Sequence, residues 1–385
     1  MKILLIHNNY GVYSGEEAVV DQQKALFEQI GHQVNIYRKT TEGIRGTVWG
    51  NLKGLLLAFY SPEAVKDIKA LMKSDKPDVV IIHNLYPFIS PAILKHIKRA
   101  GVPIIMTVHN FRLVCPTGLF MQNSLPCERC LNGTEWNCVK YNCENSLLKS
   151  IGYAGRNWYA RITKAYLNHI DKYACITKFQ IQKLIQAGYD ETKMLHIPNF
   201  LSQVVVEDEY PLGDYVAISG RLSKEKGIDL ALDVAANTPD IKYVFAGSPR
   251  KGDEMTREIP ANCTFLGHIS KDELTAFYRN ARFLLNMSRC YEGFPMTILE
   301  VASYGKPAIG PAHAGFLEII ESGVSGYHFR PGDVADLEKQ IVRLWNDPEA
   351  CMEMGRNARL KLRQQYSAET VGATWDKTLR SCAKS

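Results

Sequence analysis

The 385-residue chain has no run approaching the ~18 consecutive apolar residues of a membrane-spanning helix, and Gly54-Leu-Leu-Leu-Ala-Phe-Tyr60 is its densest stretch. Its opening, Met1-Lys-Ile-Leu-Leu-Ile-His7, is too short for a signal-peptide core and meets polar Asn8-Asn9 at once, so it reads as a buried first strand. A soluble, cytoplasmic protein is expected. No G-x-G-x-x-G follows a strand, which removes the nicotinamide and flavin fingerprints, and no G-x-x-x-x-G-K-[ST] occurs, which removes Walker-type ATPases. Asp-x-Asp is also absent, so the obvious carboxylate clamp for a Mg2+–diphosphate is lacking and no catalytic metal is expected. Internal repeats and low-complexity tracts are missing too.

What is present has an ordinary globular balance, 46% hydrophobic and 22% charged, on a chain long enough for two cores. Short apolar runs alternate with amphipathic stretches, the pattern of a parallel α/β fold. Strands are expected at Ile3–Ile6, Val34–Tyr37, Val79–Ile82, Ile104–Val108 and Tyr173–Ile176, then at Tyr215–Ser219, Tyr243–Ala246, Thr264–Phe265, Phe283–Asn286 and Ala308–Gly310. First-half helices are expected at Glu16–Ile30, Pro62–Met72, Pro91–Arg99, Ser146–Ile170 and Ile181–Ala187. The acidic, aperiodic stretch from Leu201 to Gly213 reads as a linker. Domains are therefore expected at 1–204 and 205–365, with a terminal helix over 366–385 packing back on the first. Residues 1–200 carry 24 Lys and Arg against 15 Asp and Glu, whereas residues 201–385 carry 22 against 25. A basic first half suits an anionic partner, nucleic acid or an anionic membrane surface, or it is simply a solvated face.

The stretch from Arg289 to Glu300 sets Glu292 just before a Gly293-Phe294-Pro295 turn and Glu300 on the helix that follows. Pro suits a first helical turn, and the turn's free N–H groups point at whatever Glu292 touches. A polyhydroxylated or anionic ligand fits there. A second strand-to-helix turn, Gly220-Arg221-Leu-Ser-Lys-Glu-Lys226-Gly227, flanks a helix N-terminus with two cations. Arg supplies a bidentate fork and Lys a point charge, a pairing suited to a diphosphate. Two first-half loops belong to the same picture. Asn8-Asn-Tyr-Gly11-Val-Tyr-Ser14-Gly15-Glu16 is a Gly-containing turn into a helix, and His109-Asn110 follows a strand's carboxyl end, where ligands of doubly wound sheets bind.

Five of the ten cysteines, Cys115, Cys127, Cys130, Cys138 and Cys143, fall within 29 residues, in an insertion over 115–143. Disulfides are rare in cytosolic chains, so a thiolate–metal site is expected: structural Zn2+ on four of the five, an iron–sulfur cluster, or free thiols. The helix Ser146–Ile170 carries Leu147, Leu148, Ile151, Tyr153, Trp158, Tyr159 and Ile162 beside Lys149, Arg156, Arg161 and Lys164. Such a helix either lies on an anionic membrane or packs inward and shows its charges to water.

Gly220-Arg-x4-Lys226-Gly227 followed by Glu292-Gly-Phe-Pro-x4-Glu300 resembles the signature of retaining glycosyltransferases of family 4, over nearly the whole chain. The resemblance implies the GT-B fold, two doubly wound Rossmann-like domains facing a cleft, and catalysis without a metal ion. It implies that Arg221 and Lys226 hold the diphosphate of a UDP- or GDP-sugar and that Glu300 binds the nucleotide ribose. Glu292, with the Gly293–Phe294 backbone, would hold donor-sugar hydroxyls, Gly15 would approach the donor, and His109 would sit beside the reacting sugar. The insertion looks like that of bacterial surface-polysaccharide enzymes (O-antigen or capsule). There the cysteines match Cys115, Cys127, Cys130 and Cys143, which leaves Cys138 over. Many family members have two adjacent glycines where this chain has Ser14-Gly15. The expected function is hexosyl transfer to a glycan or lipid-linked oligosaccharide, by an enzyme peripheral at the inner membrane face.

Front-face attack, with the leaving phosphate taking the acceptor's proton, is the expected route to retention, and double displacement through a carboxylate is the rival. Other classes remain open at this point: a nucleotide-sugar epimerase, a hydrolase using Glu292 and Glu300, and a metal-dependent nucleic-acid binder.

Overall fold

A computed structural model describes residues 1–10, 15–41, 48–204, 211–249 and 257–383. The Gly11 and Ser14 positions of the first loop and residues 205–210 of the linker lie outside them. The chain divides into two compact units, the first comprising 1–120, 128–199 and 371–385, the second 121–127 and 200–370. The α/β class and the GT-B architecture are as the sequence implies.

The first unit holds a six-stranded parallel sheet of β1 (Lys2–Asn9), β2 (Gln33–Thr40), β3 (Val79–Asn84), β4 (Ile104–Val108), β5 (Lys172–Cys175) and β6 (Met194–His196), in the order β2-β1-β3-β4-β5-β6. The second holds β7 (Val216–Ser219), β8 (Tyr243–Ala246), β9 (Cys263–Gly267), β10 (Phe283–Leu285), β11 (Ala308–Pro311) and β12 (Gly326–Phe329), in the order β9-β8-β7-β10-β11-β12. Every residue of β3 and β4 is buried, as expected of parallel strands covered by helices on both faces. Beyond the expected elements come a helix at Val48–Phe59 and the edge strands β6 and β12. Edge strands of three or four residues are too short to carry a period.

In each sheet the order of connection reverses beside the first strand, between β1 and β3 and between β7 and β10. Doubly wound sheets bind ligands at the carboxyl ends of the strands flanking such a reversal. The last helix, Ala368–Ala383, packs within the first unit, where Trp375 meets Phe27 edge-on at 5.5 Å and Asp376 pairs with His32 at 3.0 Å. Among the described residues no helix is long and apolar enough to cross a membrane.

Two expectations need correction. The expected helix Ser146–Ile170 is broken into Leu147–Ile162 and Ala165–His169, because Lys164 takes a left-handed conformation at φ 49°. The first piece is also turned against its charge pattern. Its buried face is Ser150, Gly152, Ala154, Arg156, Asn157 and Ala160, while Leu147, Leu148, Ile151, Trp158 and Ile162 are exposed. Arg156 lies inside, donating to Pro116 O at 2.8 Å and stacking on Tyr86 at 4.3 Å. Arg161 grips Glu135 through two bonds of 2.6 and 3.3 Å. Neither arginine is part of a free basic face. The small residues inside let a neighbour come close: a Cβ on Gly152 would press on Leu55.

The cysteines are the second correction. Among the described residues no group of three or more His, Cys, Asp or Glu side chains is placed to hold a metal, so zinc on Cys115, Cys127, Cys130 and Cys143 is not supported. Cys127 falls in the segment that belongs with the second unit. The expected spare, Cys138, is instead the buried centre of a small cluster with Cys130, Ala154, Val139 and Cys143. Burial, and then Cys143, Cys130 and Cys115 nearby, push its thiol well up, so it stays protonated. Ordinary contacts fold the insertion: the Arg161–Glu135 fork, Lys183 to Glu128 at 2.7 Å, Asn137 Nδ2 donating to Arg129 O at 2.9 Å, and Arg129 stacked on Tyr141 at 4.3 Å.

The helix Pro348–Gln365 passes so close to Gly305 that a Cβ on Gly355 would overlap the Gly305 carbonyl oxygen. Gly355→Ala gains ~1 kcal/mol of helix propensity but forces a backbone shift costing about 1–3 kcal/mol. A lower thermal midpoint is expected; an unchanged or higher one would mean the helix is not pressed against that turn.

Candidate functional site

In the second unit the chain leaving β7 runs through Gly220 and Arg221 to a short 3-10 turn, Lys224–Lys226, and then the helix Ile228–Asn237. Gly227 joins them at φ 73°, and a Cβ there would strike the Met287 carbonyl, so glycine is required by both conformation and space. No side chain caps this helix, nor the helix Met296–Ser303 that carries Glu300, so their first-turn N–H groups have no capping acceptor. The loop after β10 is stitched onto the turn. Arg289 N and Ser288 Oγ both donate to Glu225 O, at 2.9 and 3.3 Å, and Arg289 pairs with Asp229 at 2.7 Å.

This stitching brings Arg221, Lys226 and Glu292 together. Lys226 Nζ forms an ion pair with Glu292, and Arg221 reaches Glu225 at 3.0 Å. Among the described residues Arg221 Nε is buried without a hydrogen-bond partner, an unused donor beside the helix start. Burial pulls the Glu292 carboxyl up, but the charge and hydrogen bond of Lys226 outweigh it and hold it below the ordinary 4.5. Burial likewise lowers Lys226, and Glu292 reverses that, leaving the amine above its ordinary value. Among the described residues Glu300 has no cation partner. Burial raises its carboxyl, only partly offset by the Tyr278 hydroxyl donating at 2.8 Å. Tyr278 also meets Ser219 Oγ, at the end of β7, at 2.8 Å. Phe294 is buried and meets Tyr366 edge-on at 5.5 Å, which fixes the Gly293–Phe294 backbone.

The first unit builds a different cluster at its own reversal point. His7 lies near the end of β1, His83 near the end of β3, and His109 follows β4; each precedes an asparagine. His83 Nδ1 is 2.7 Å from His109 Nε2, with the rings 15° from parallel, and His7 stands edge-on to His83 at 6.2 Å. Burial, with His109 adding to it and Glu16 opposing, lowers His7 to about 4. Burial and then Arg112 lower His109 to about 4, and burial first holds His83 well below its usual value. All three are neutral imidazoles. Beside them Glu16 Oε2 accepts from Tyr10 OH at 3.0 Å and Asn110 Nδ2 at 3.3 Å, and Arg112 donates to Tyr10 OH at 2.8 Å. Gly15 begins the helix Gly15–Gln29 at an exposed position, with open space where a Cβ would stand.

The sequence did not reveal Glu225, Tyr278 or His83. Arg221 and Glu225 do share the i, i+4 spacing of a paired turn. The thrice-repeated His-Asn at strand ends was a visible signal for His83, whereas Tyr278 sits in a helix of ordinary pattern.

Two family models match the chain: "Glycosyltransferase Family 4" on residues 14–202 and "Glycosyl transferases group 1" on residues 207–361. The chain belongs to the GT-B glycosyltransferases that these models describe. It is similar to the lipopolysaccharide 1,2-N-acetylglucosaminetransferase of Salmonella typhimurium, 27% identical over 42% of this chain and 47% of that protein. It is similar also to the alpha-galactosylglucosyldiacylglycerol synthase of Streptococcus pneumoniae, 24% identical over 56% of this chain and 62% of that one. The chain thus spans about half the length of these relatives. Among solved structures it shares its fold with Anabaena Alr3699/HepE in complex with UDP, at TM-score 0.68 and 18% identity over 99% and 100% of the two chains.

The Lys226–Glu292 pair fixes a sign for acid stability. With its folded value below 4.5, Glu292 contributes stability that is complete above the ordinary value and is lost as pH falls through the folded one. In Lys226→Met burial is opposed only by the Ser288 hydroxyl and the Arg221 charge, so the loss of stability in acid should shrink there. The urea midpoint should fall further between pH 7 and about pH 4 in the wild type than in the variant, and equal falls would count against the pair.

Proposed function

We propose that the chain is a retaining glycosyltransferase that takes a hexosyl group from a UDP- or GDP-sugar. The observation that carries this reading is the cation pair at the β7–β10 reversal, Arg221 with its unpartnered buried Nε and Lys226 at an uncapped helix start. An anion there gains both charges and the free N–H groups, and it gains most when the departing diphosphate carries its full charge. Lys226 then turns from Glu292 to the phosphate, releasing Glu292 to accept from donor-sugar hydroxyls beside the Gly293–Phe294 backbone. Glu300, placed by Tyr278, accepts from the nucleotide ribose, and His109 is a contact of the sugar. With Glu292 given over to the donor-sugar hydroxyls and Glu300 to the ribose, neither of these two carboxylates is left to act as a nucleophile. That favours front-face attack, in which the leaving phosphate takes the acceptor's proton, over a hydrolase-like carboxylate pair. HepE in complex with UDP supports a uridine donor.

Losing one charge-assisted contact costs about 1.5–3 kcal/mol, so Lys226→Ala and Glu300→Gln should each weaken nucleotide binding by about tenfold or more. Calorimetric titration with UDP and GDP measures this, and full affinity in both variants would remove the donor-site assignment.

For the acceptor we propose a lipid-linked glycan of surface-polysaccharide type, met by a cytoplasmic enzyme at the inner membrane face. The similarity to a lipopolysaccharide glycosyltransferase and a glycolipid synthase supports it. So does the outward face of Leu147–Ile162, where Leu148 is 81% exposed and Leu147 57%, with exposed Lys53, Lys149 and Lys164 nearby in sequence or on the adjoining helix. Apolar insertion, more than charge, would hold the protein to anionic lipid. Vesicles of anionic lipid should co-sediment the wild type, only modestly less at high salt and scarcely at all with Leu148→Glu plus Ile151→Glu; equal sedimentation of this variant would place the lipid contact elsewhere.

A further inference from the structure

The three His-Asn pairs close three adjacent strands of the first sheet, and only one of the imidazoles was expected to meet a ligand. His83 is 4% exposed, and among the described residues its hydrogen-bond contact is to His109 at 2.7 Å. Among the described residues its other nitrogen, Nε2, is buried with no hydrogen-bond partner; both nitrogens of His7 also lack one, with Glu16 Oε1 3.9 Å from its Nδ1. His109 is only partly buried. Its Nε2 is engaged by His83, and its Nδ1 is not among the buried unpartnered atoms.

Two neutral imidazoles joined by one hydrogen bond have two arrangements, and they differ at the outer nitrogens. If His109 donates from Nε2, His83 must keep its proton on Nε2 as an orphaned N–H in the interior. If His83 donates from Nδ1, its Nε2 is left as a bare lone pair and His109 carries its proton on Nδ1. Buried orphan donors are the rarer and costlier case, and unpaired acceptors are better tolerated. We propose that His83 is a positioning residue: its Nδ1–H donates to Nε2 of His109 and fixes His109 as the Nδ1–H tautomer, a neutral hydrogen-bond donor for a sugar oxygen.

The assignment has a chemical consequence. A His109 whose accessible nitrogen carries the proton cannot accept one from an acceptor hydroxyl, so its part is recognition and orientation of an oxygen on the donor sugar. His7 stands 6.2 Å from His83 between ring centres, without a hydrogen bond, so the chain of imidazoles ends at His83. This deepens the reading of His109 as a donor-sugar contact, and only the kinetic arm of the test rests on that reading.

The direct test is a long-range 1H–15N spectrum of the full-length protein labelled with 15N-histidine, assigned with His83→Gln and His109→Gln. Nδ1–H on both His83 and His109 is expected at neutral pH, and Nε2–H on His109 in the wild type would overturn the proposal. In kinetics, His83→Gln keeps an N–H donor and should hold kcat within about threefold. His83→Phe should lower kcat by up to about tenfold, the value of one neutral hydrogen bond, with the donor KM little changed. Equal rates for Gln and Phe would overturn it as well. Should His83→Phe fail to fold, the wild-type spectrum and His83→Gln still decide. Undiminished transfer by His109→Ala would end the assignment of His109 to the sugar while leaving the tautomer result standing.

Discussion

A lysine and a glutamate half-withdrawn from water organise the second unit's site. Desolvation works against both charges, and each group more than offsets that cost for the other. That requirement ties the turn after β7 to the loop after β10. The backbone bonds to Glu225 O and the close approach at Gly227 follow the same path. The cations at the helix start are in place before any ligand arrives. Preorganised charge of this kind acts on a departing anion without the cost of reorganising water.

The parallel sheets explain why the two clusters of polar residues lie where they do. Strands buried on both faces have no room for chemistry along their length, so polar groups gather at their carboxyl ends. The two units fill that place differently. One presents cations at an uncapped helix, and the other a row of neutral imidazoles braced by Glu16, Tyr10 and Arg112. A cation beside His109 helps keep its ring neutral, so the first unit offers hydrogen bonds where the second offers charge.

Much of this was legible in the sequence for an identifiable reason. Buried parallel strands are short apolar runs, and Ile104–Val108 and Tyr243–Ala246 could be read to the residue. Arg221, Lys226 and Glu292 sit in turns whose Gly and Pro announce themselves, and Glu300 lies on the helix that Pro295 opens. The failures came where tertiary packing outranked local pattern. Helix Leu147–Ile162 has an apolar face that a period-based reading turns inward, but Gly152 and Ala154 let its small-residue side approach its neighbour, and Arg156 found partners inside. The cysteine spacing suggested ligands. Yet Cys127 goes with another part of the chain, and what remains is a thiol core closed by ion pairs. Spacing along a chain says little about which side chains converge when the segment between them changes partner. The linker could be seen only as an absence of period.

The first unit is interrupted in sequence: its sheet comes from the opening half of the chain, and its last helix, 371–383 within Ala368–Ala383, follows the whole second unit. On the ribosome, strands β1 to β6 emerge long before Trp375 and Asp376 arrive to cover Phe27 and His32. Until then the unit waits with an apolar seam open, while the second unit, continuous from residue 200 to 370 apart from one short segment, can close as soon as it is made. The order of synthesis is thus opposite to the order of completion, and residues 371–383 have a long-range duty out of proportion to their number.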